Sequence, residues 1–197
     1  MEGHIDIKAL VIAAHTAIIT HVDELTELDC AIGDGDHGLN MKRGMDAVLA
    51  EVDQLAAMQL NDALGAAGKR LVMTIGGASG PLFATFLSVL GRELENVKPA
   101  DAFAAAVEAV AKRGKSKEGE KTLLDVLFPI AKALNLKQKA SELARVAQDA
   151  ARATIPLQAT KGRASYLGSR SIGHMDPGAR SVSLIMDSVA SVIGQNQ

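Results

Sequence analysis

The 197-residue chain has no tryptophan, one tyrosine and four phenylalanines. Its single cysteine, Cys30, excludes an intrachain disulfide and a cysteine-based zinc site. Excess charge of one sign is also lacking: 21 Lys and Arg stand against 23 Asp and Glu, a formal net charge of −2. That balance argues against nucleic acid or an anionic membrane surface as a partner held by bulk charge. No stretch reaches the roughly 18 uncharged apolar residues that a membrane span needs. The opening MEGHIDIKAL has neither the basic region nor the apolar run of a signal peptide. A cytoplasmic protein is expected.

With 48% hydrophobic and 22% charged residues, the composition is that of a folded globular protein. Its apolar content is Ala, Leu, Ile, Val and Met, which favours closely packed helices. Apolar periodicity predicts eight helical segments: Ile5 to Leu28, Leu39 to Ala57, Asn61 to Met73, Pro81 to Leu94, Pro99 to Gly114, Thr122 to Leu136, Gln138 to Ile155 and Ala179 to Ile193. Pro81 and Pro99 suit helix first turns, and Pro129 is a candidate kink. No alternating apolar–polar run predicts a sheet, and no linker divides residues 1–197. The expectation is one all-α domain.

Glycines concentrate between these segments, in AIGDGDHGLN (31–40), TIGGASGP (74–81) and KGRASYLGSRSIGHMDPGA (161–179). Glycine is costly in ordered structure unless backbone turns sharply or approaches a neighbour closely. The first loop carries Asp29, Asp34 and Asp36, and no Lys or Arg lies between Lys8 and Lys42. Carboxylates so crowded repel, and a divalent cation relieves this: Mg²⁺, Mn²⁺ or Ca²⁺, since the donors are oxygens. The other reading is ordinary solvated turn acids.

Three near-matches fail. GDGDHG (33–38) fits G-x-G-x-x-G, but a helical segment precedes it where a dinucleotide fold needs a strand. As a calcium loop from Asp34, it puts Gly38 and Met45 at the fifth and twelfth positions, where oxygen ligands belong. RGKS (113–116) resembles the end of a phosphate-binding P-loop, but Ala109 stands where the first glycine is required.

His37-Gly38-Leu39-Asn40 runs directly into a helix, and GGASG (76–80) offers a second helix start with Ser79 as a hydroxyl donor. Free N–H groups at helix starts suit phosphate, although GGASG also reads as a plain tight turn. In the C-terminal loop, Lys161, Arg163, Arg170 and Arg180 bracket the turn Asp176-Pro177-Gly178. Arg163 is the phosphate candidate, because a guanidinium grips with two hydrogen bonds. Tyr166 is read as an anchor for this loop ahead of a platform that stacks on a base, and His15 as a satisfied core residue. His4 and His21 give no signal, and His174 is only a loop candidate.

Taken together, GDGDHGLNM, GGASGPLF, RGK followed by GEKT-LLDV, and KGRASYLGSRSIGHMDPGA resemble the nucleotide-binding L-type subunits of bacterial dihydroxyacetone kinases, in order and spacing. The resemblance implies a barrel of eight antiparallel helices with ADP or ATP and two Mg²⁺ at one end. It assigns Asp29, Asp34 and Asp36 to the metals and His37, Gly38, Leu39 and Asn40 to the phosphates. Ala78 and Ser79 would line the nucleotide, with Gly114 and Leu123 around adenine and sugar. Arg163 with Asp176-Pro177-Gly178 would close the C-terminal side. Ser169 and Met175 depart from the Glu and Gln of relatives, which bears on partner contacts.

The same resemblance implies a K subunit carrying dihydroxyacetone and an M subunit whose phosphohistidine is the phosphoryl donor, with the nucleotide kept as a cofactor. No side chain of this chain needs to be a catalytic nucleophile. The alternatives are an ATP-dependent kinase subunit for another small keto-sugar, and a nucleotide-sensing module reporting to a transcription regulator.

Overall fold

The computed structural model describes residues 5–195; His4 lies outside them. These residues form ten α-helices and one 3-10 helix, with no strand among them. In order they are α1 (Ile7–Ile19), α2 (Val22–Ile32), α3 (His37–Leu49), α4 (Val52–Ala56), α5 (Leu60–Thr74) and α6 (Ser79–Leu94). There follow α7 (Pro99–Gly114), α8 (Leu124–Asn135), α9 (Ala140–Ala153), the 3-10 helix (Arg163–Ser171) and α10 (Pro177–Gln195). The all-α expectation holds.

The number of helices differs from eight because the first two expected segments each break. At the first break, Thr20 Oγ1 donates to the carbonyl of Thr16 at 2.8 Å, and His21 Nδ1 lies 2.7 Å from the carbonyl of Ala17. Side chains thus take the last carbonyls of α1, and the chain restarts as α2. The second break, at Ala50 and Glu51, separates α3 from the short α4. The C-terminal loop contains the 3-10 helix, whose Gly168 departs from helical geometry at φ 56°.

Local chemistry starts several helices. Asp6 accepts from the N–H of Ala9 to cap α1, Glu142 accepts from the N–H of Lys139 before α9, and Pro99 opens α7. Packing then closes the helices into a ring: α1 against α3, α3 against α5, then α5 through α10 in succession, and α10 back against α1. Small residues let the neighbours approach. A Cβ on Gly91 of α6 would lie 2.5 Å from the carbonyl oxygen of Asn61 in α5. Ile18, Leu25, Met41, Val107, Leu124 and Ile130 fill the interior. Each such side chain contributes about 1.5–3 kcal/mol on burial.

The α2–α3, α5–α6, α7–α8 and α9–α10 connections fall together at one end of this ring, since all four line the same space. No helix among the described residues is long and apolar enough to cross a membrane.

Candidate functional site

Those four connections enclose a cleft of about 370 Å³. The three acids meet on its floor, with one carboxylate oxygen from each of Asp29, Asp34 and Asp36 within 4.8 Å of the others. Their roles in the apo fold differ. Asp29 is buried in the last turn of α2, and its Oδ2 accepts the N–H of Asp36 at 2.9 Å and of His37 at 3.1 Å. It therefore shapes the loop that carries the other two. Asp34 and Asp36 are exposed, and Asp34 Oδ2 accepts from Arg163 Nη1.

His37 opens α3 and is buried. Its Nε2 lies 3.2 Å from Ser181 Oγ in α10, and its Nδ1 lies 3.4 Å from Ser79 Oγ in α6. The Ser181 hydroxyl donates to the carbonyl of Gly178, which assigns the imidazole proton to Nε2 and leaves Nδ1 to accept from Ser79. Burial holds the pKa of this imidazole below its usual value, against the pull of Asp29 and Asp36. His37 is thus a neutral hub joining three helix starts.

Thirteen of the fifteen residues expected at a site line this cleft: Asp29, Asp34, Asp36, His37 and Asn40, Ala78 and Ser79, Gly114 and Leu123, Arg163, and Asp176, Pro177 and Gly178. Gly38 and Leu39 do not. A Cβ on Gly38 would lie 2.2 Å from the carbonyl oxygen of Val22 and 2.3 Å from Thr26 Oγ1, so glycine is needed there for α3 to pack on α2. The Leu39 side chain is exposed. Both can reach a phosphate only through their N–H groups, which helix geometry leaves without intrahelical partners.

The loop anchor is elsewhere than expected. Tyr166 is 89% exposed and anchors nothing. The segment is held instead by Lys121, which periodicity and motif spacing did not single out. Lys121 is buried, and its ammonium donates to the carbonyls of Thr154 (2.7 Å), Leu157 (3.1 Å) and His174, with that of Ile155 at 3.4 Å. Burial lowers its pKa, against the carboxylates of Asp176 and Asp125. Asp125, in the first turn of α8, accepts from the N–H groups of Gly119 and Thr122 in the connection before it. Thr122-Leu123-Leu124-Asp125 has the spacing of a capping box ahead of an apolar run, the signal by which Asp125 could be found.

Asp176 caps α10, its Oδ2 accepting from the N–H of Ala179 at 2.7 Å. Burial pushes its carboxyl up to about 7; the Ala179 hydrogen bond and Lys121 oppose the shift, while Asp125 and Asp29 add to it. Of the two departures noted above, Ser169 is exposed and Met175 packs on the core. His15 is half-buried and paired with Asp46 at 2.9 Å.

The chemistry of the donor set fits a hard divalent cation. Three carboxylates converge without sulfur, and the nearby imidazole is already engaged by two serines. Helix starts at α3, α6 and α10 border the same space, an arrangement suited to phosphate.

Comparison with known proteins agrees with this geometry. The chain is 40% identical over 185 residues, 87% of its length and 88% of the relative's, to the ADP-binding subunit DhaL of the PEP-dependent dihydroxyacetone kinase of Escherichia coli (strain K12). It is 42% identical over 167 residues, 82% of both chains, to the ADP-binding subunit DhaL of PEP-dependent dihydroxyacetone kinase 1 of Listeria innocua. Its fold is that of the C. freundii dihydroxyacetone kinase crystallised with AMP-PNP and Mg²⁺. That match has a TM-score of 0.79 at 24% identity and covers 94% of this chain and 33% of that one. A DAK2 domain spans residues 31–191, and the chain belongs to the DAK2 domain family.

Proposed function

We propose that the chain, acting over residues 1–197 as one nucleotide-binding unit, is the ADP-binding subunit of a phosphoenolpyruvate-dependent dihydroxyacetone kinase in the cytoplasm. In this reading phosphoryl passes from a phosphohistidine on an M subunit, by way of the nucleotide held here, to dihydroxyacetone on a K subunit. The observation that carries it is the convergence of thirteen candidate residues, from four separate connections, on one cleft. The identity to ADP-binding DhaL subunits over most of both chains supports it.

Asp29, Asp34 and Asp36 would hold two Mg²⁺, which supply charge neutralisation for the phosphates. The N–H groups of Gly38 and Leu39, the Ser79 hydroxyl and the Arg163 guanidinium orient the phosphate chain. Asn40 and Ala78 border it, and Gly114 and Leu123 form the apolar side for adenine and sugar. Asp176-Pro177-Gly178, packed beside Leu123, closes the C-terminal side. Phosphoryl transfer asks mainly for positioning and electrostatic complementarity, and these residues are placed to provide both without a protein nucleophile.

The test is a coupled assay of dihydroxyacetone phosphate with each component omitted in turn. The chain alone, with Mg²⁺ and ADP or ATP, is expected to give no product. Product should appear when K and phosphorylated M are added with ADP at catalytic amounts. Turnover by the isolated chain on ATP would overturn the assignment. Turnover with K and ATP in the absence of M would refute the phosphoryl donor and favour an ATP-dependent subunit.

A further inference from the structure

Two segments on one side of the cleft are joined through one buried cation; they already touch, since a Cβ on Gly178 would lie 3.6 Å from the Cβ of Leu123. Lys121 lies in the connection before α8, adjacent to Thr122 and Leu123, which line one wall. Its side chain reaches away from that wall to the end of α9 and to the C-terminal connection, where it meets the carbonyls of Thr154, Leu157 and His174. Three acceptors within hydrogen-bond distance require three N–H donors, so the group is an ammonium rather than a neutral amine. No carboxylate shares in the cage. The carbonyls of Thr154 and Leu157 belong to the C-terminal end of α9 and the turn after it, where the helix dipole favours a cation. His174 is two residues before Asp176, and Thr154 Oγ1 accepts the N–H of Asp176 at 3.0 Å. The adjoining segment, Asp176-Pro177-Gly178, is therefore tied to α9 by the same cluster.

We propose that Lys121 is a positioning residue that holds the Leu123 segment and the adjoining Asp176–Gly178 segment together as one side of the nucleotide cleft, through its cage of main-chain carbonyls. This rests on the nucleotide-binding reading above. Lys121 borders the cleft but is only 1% exposed, and its ammonium is turned to the carbonyl cage. Removing its donors leaves buried carbonyls unpaired and frees the C-terminal wall, while α3 and α5 keep their own packing.

The test compares Lys121→Met, which keeps most of the volume without donors, with Lys121→Ala supplemented by small amines. Calorimetry on Lys121→Met is expected to show ADP binding weakened by about tenfold or more, equivalent to ~1.4 kcal/mol. Amide exchange in the nucleotide-free protein should accelerate in residues 154–157 and 173–178 and stay unchanged in residues 60–74. Propylammonium should restore ADP affinity to Lys121→Ala; tetramethylammonium, which has no N–H, should not.

Wild-type affinity in Lys121→Met, uniform acceleration of exchange, or equal rescue by both amines would each overturn the proposal. If Lys121→Met does not fold, Lys121→Gln, with two donors retained, is measured in the same affinity and exchange experiments against the same outcomes. Failure of the wild-type protein to bind ADP would instead refute the nucleotide-binding reading. The exchange experiment on the free protein would still decide whether Lys121 holds the two segments together.

Discussion

Arg163 and Asp34 pair with each other: the guanidinium Nη1 donates to the carboxylate Oδ2, joining the start of the 3-10 helix to the acidic loop. The residue proposed for phosphate thus occupies a residue proposed for metal. Binding of a magnesium nucleotide exchanges this pair for two others. Arg163→Gln should therefore act with opposite signs on the two ligands. ADP affinity is expected to fall by about tenfold, as for loss of one charged hydrogen bond. Mg²⁺ alone should bind more tightly, because a competing cation is gone. Arg163→Lys should also weaken ADP, and Arg170→Lys, outside the cleft, should leave it unchanged. Titration calorimetry with each ligand separately checks this; losses of both ligands, or of neither, would contradict it.

The three acids should separate by what they do in the free protein. Asp34→Asn and Asp36→Asn are expected to weaken Mg²⁺-dependent ADP binding strongly while leaving thermal stability level or higher, since crowding of charge is relieved. Asp29→Ala should lose binding and stability together. It leaves the buried N–H of His37 and that of Asp36 without their acceptor, at about 1–3 kcal/mol for each buried group. Thermal melts alongside calorimetry distinguish the two patterns.

Gly38→Ala tests a purely steric requirement. The added methyl meets the carbonyl of Val22 and the Thr26 hydroxyl, and both are fixed, since Thr26 Oγ1 donates to the Val22 carbonyl at 2.8 Å. An overpacking cost of about 1–3 kcal/mol is expected, seen as a lowered melting temperature. Leu39→Ala, at an exposed side chain, should be near neutral for stability.

Asp176 gives a pH dependence to the free protein. Its carboxyl is at about 7 in the fold against an ordinary 3.8, so the native state holds a proton that the unfolded chain releases. Its contribution is fully present below the ordinary value and is lost as pH rises toward 7. Asp176→Asn keeps an acceptor for the N–H of Ala179 and should flatten this decline, measured by chemical denaturation between pH 4 and pH 8. His37 works from the other direction. Its lowered pKa costs stability as pH falls through its ordinary range near 6.5, so Asp176→Asn should expose that acid-side loss.

Much of the site was legible because its chemistry is local. Acids with intervening glycines, and glycine loops leading into helices, are neighbours in sequence before they are neighbours in space. What the sequence did not reveal depends on distant partners. Lys121 stands between Glu120 and Thr122 in a charged stretch and reads as a solvated residue; only the carbonyls of residues 154–174 make it a buried one. The break after α1 was hidden for a related reason. Thr20 and His21 end the helix with their own side chains, without the glycine or proline that would punctuate the periodicity. Tyr166 was misjudged because an aromatic in a long loop suggests burial, whereas the 3-10 turn presents it outward.

The contact between His37 and Ser181 spans 144 residues of chain. A polypeptide emerging from the ribosome makes the acidic loop early, yet the serine that orients its histidine comes only with α10, the helix that closes the ring against α1. Nascent chains that stop before α10 therefore carry the acids proposed for metal without a finished cleft around them. On the proposed reading, such fragments would hold little nucleotide. Competence is thereby tied to the completion of translation, with no separate device to enforce it.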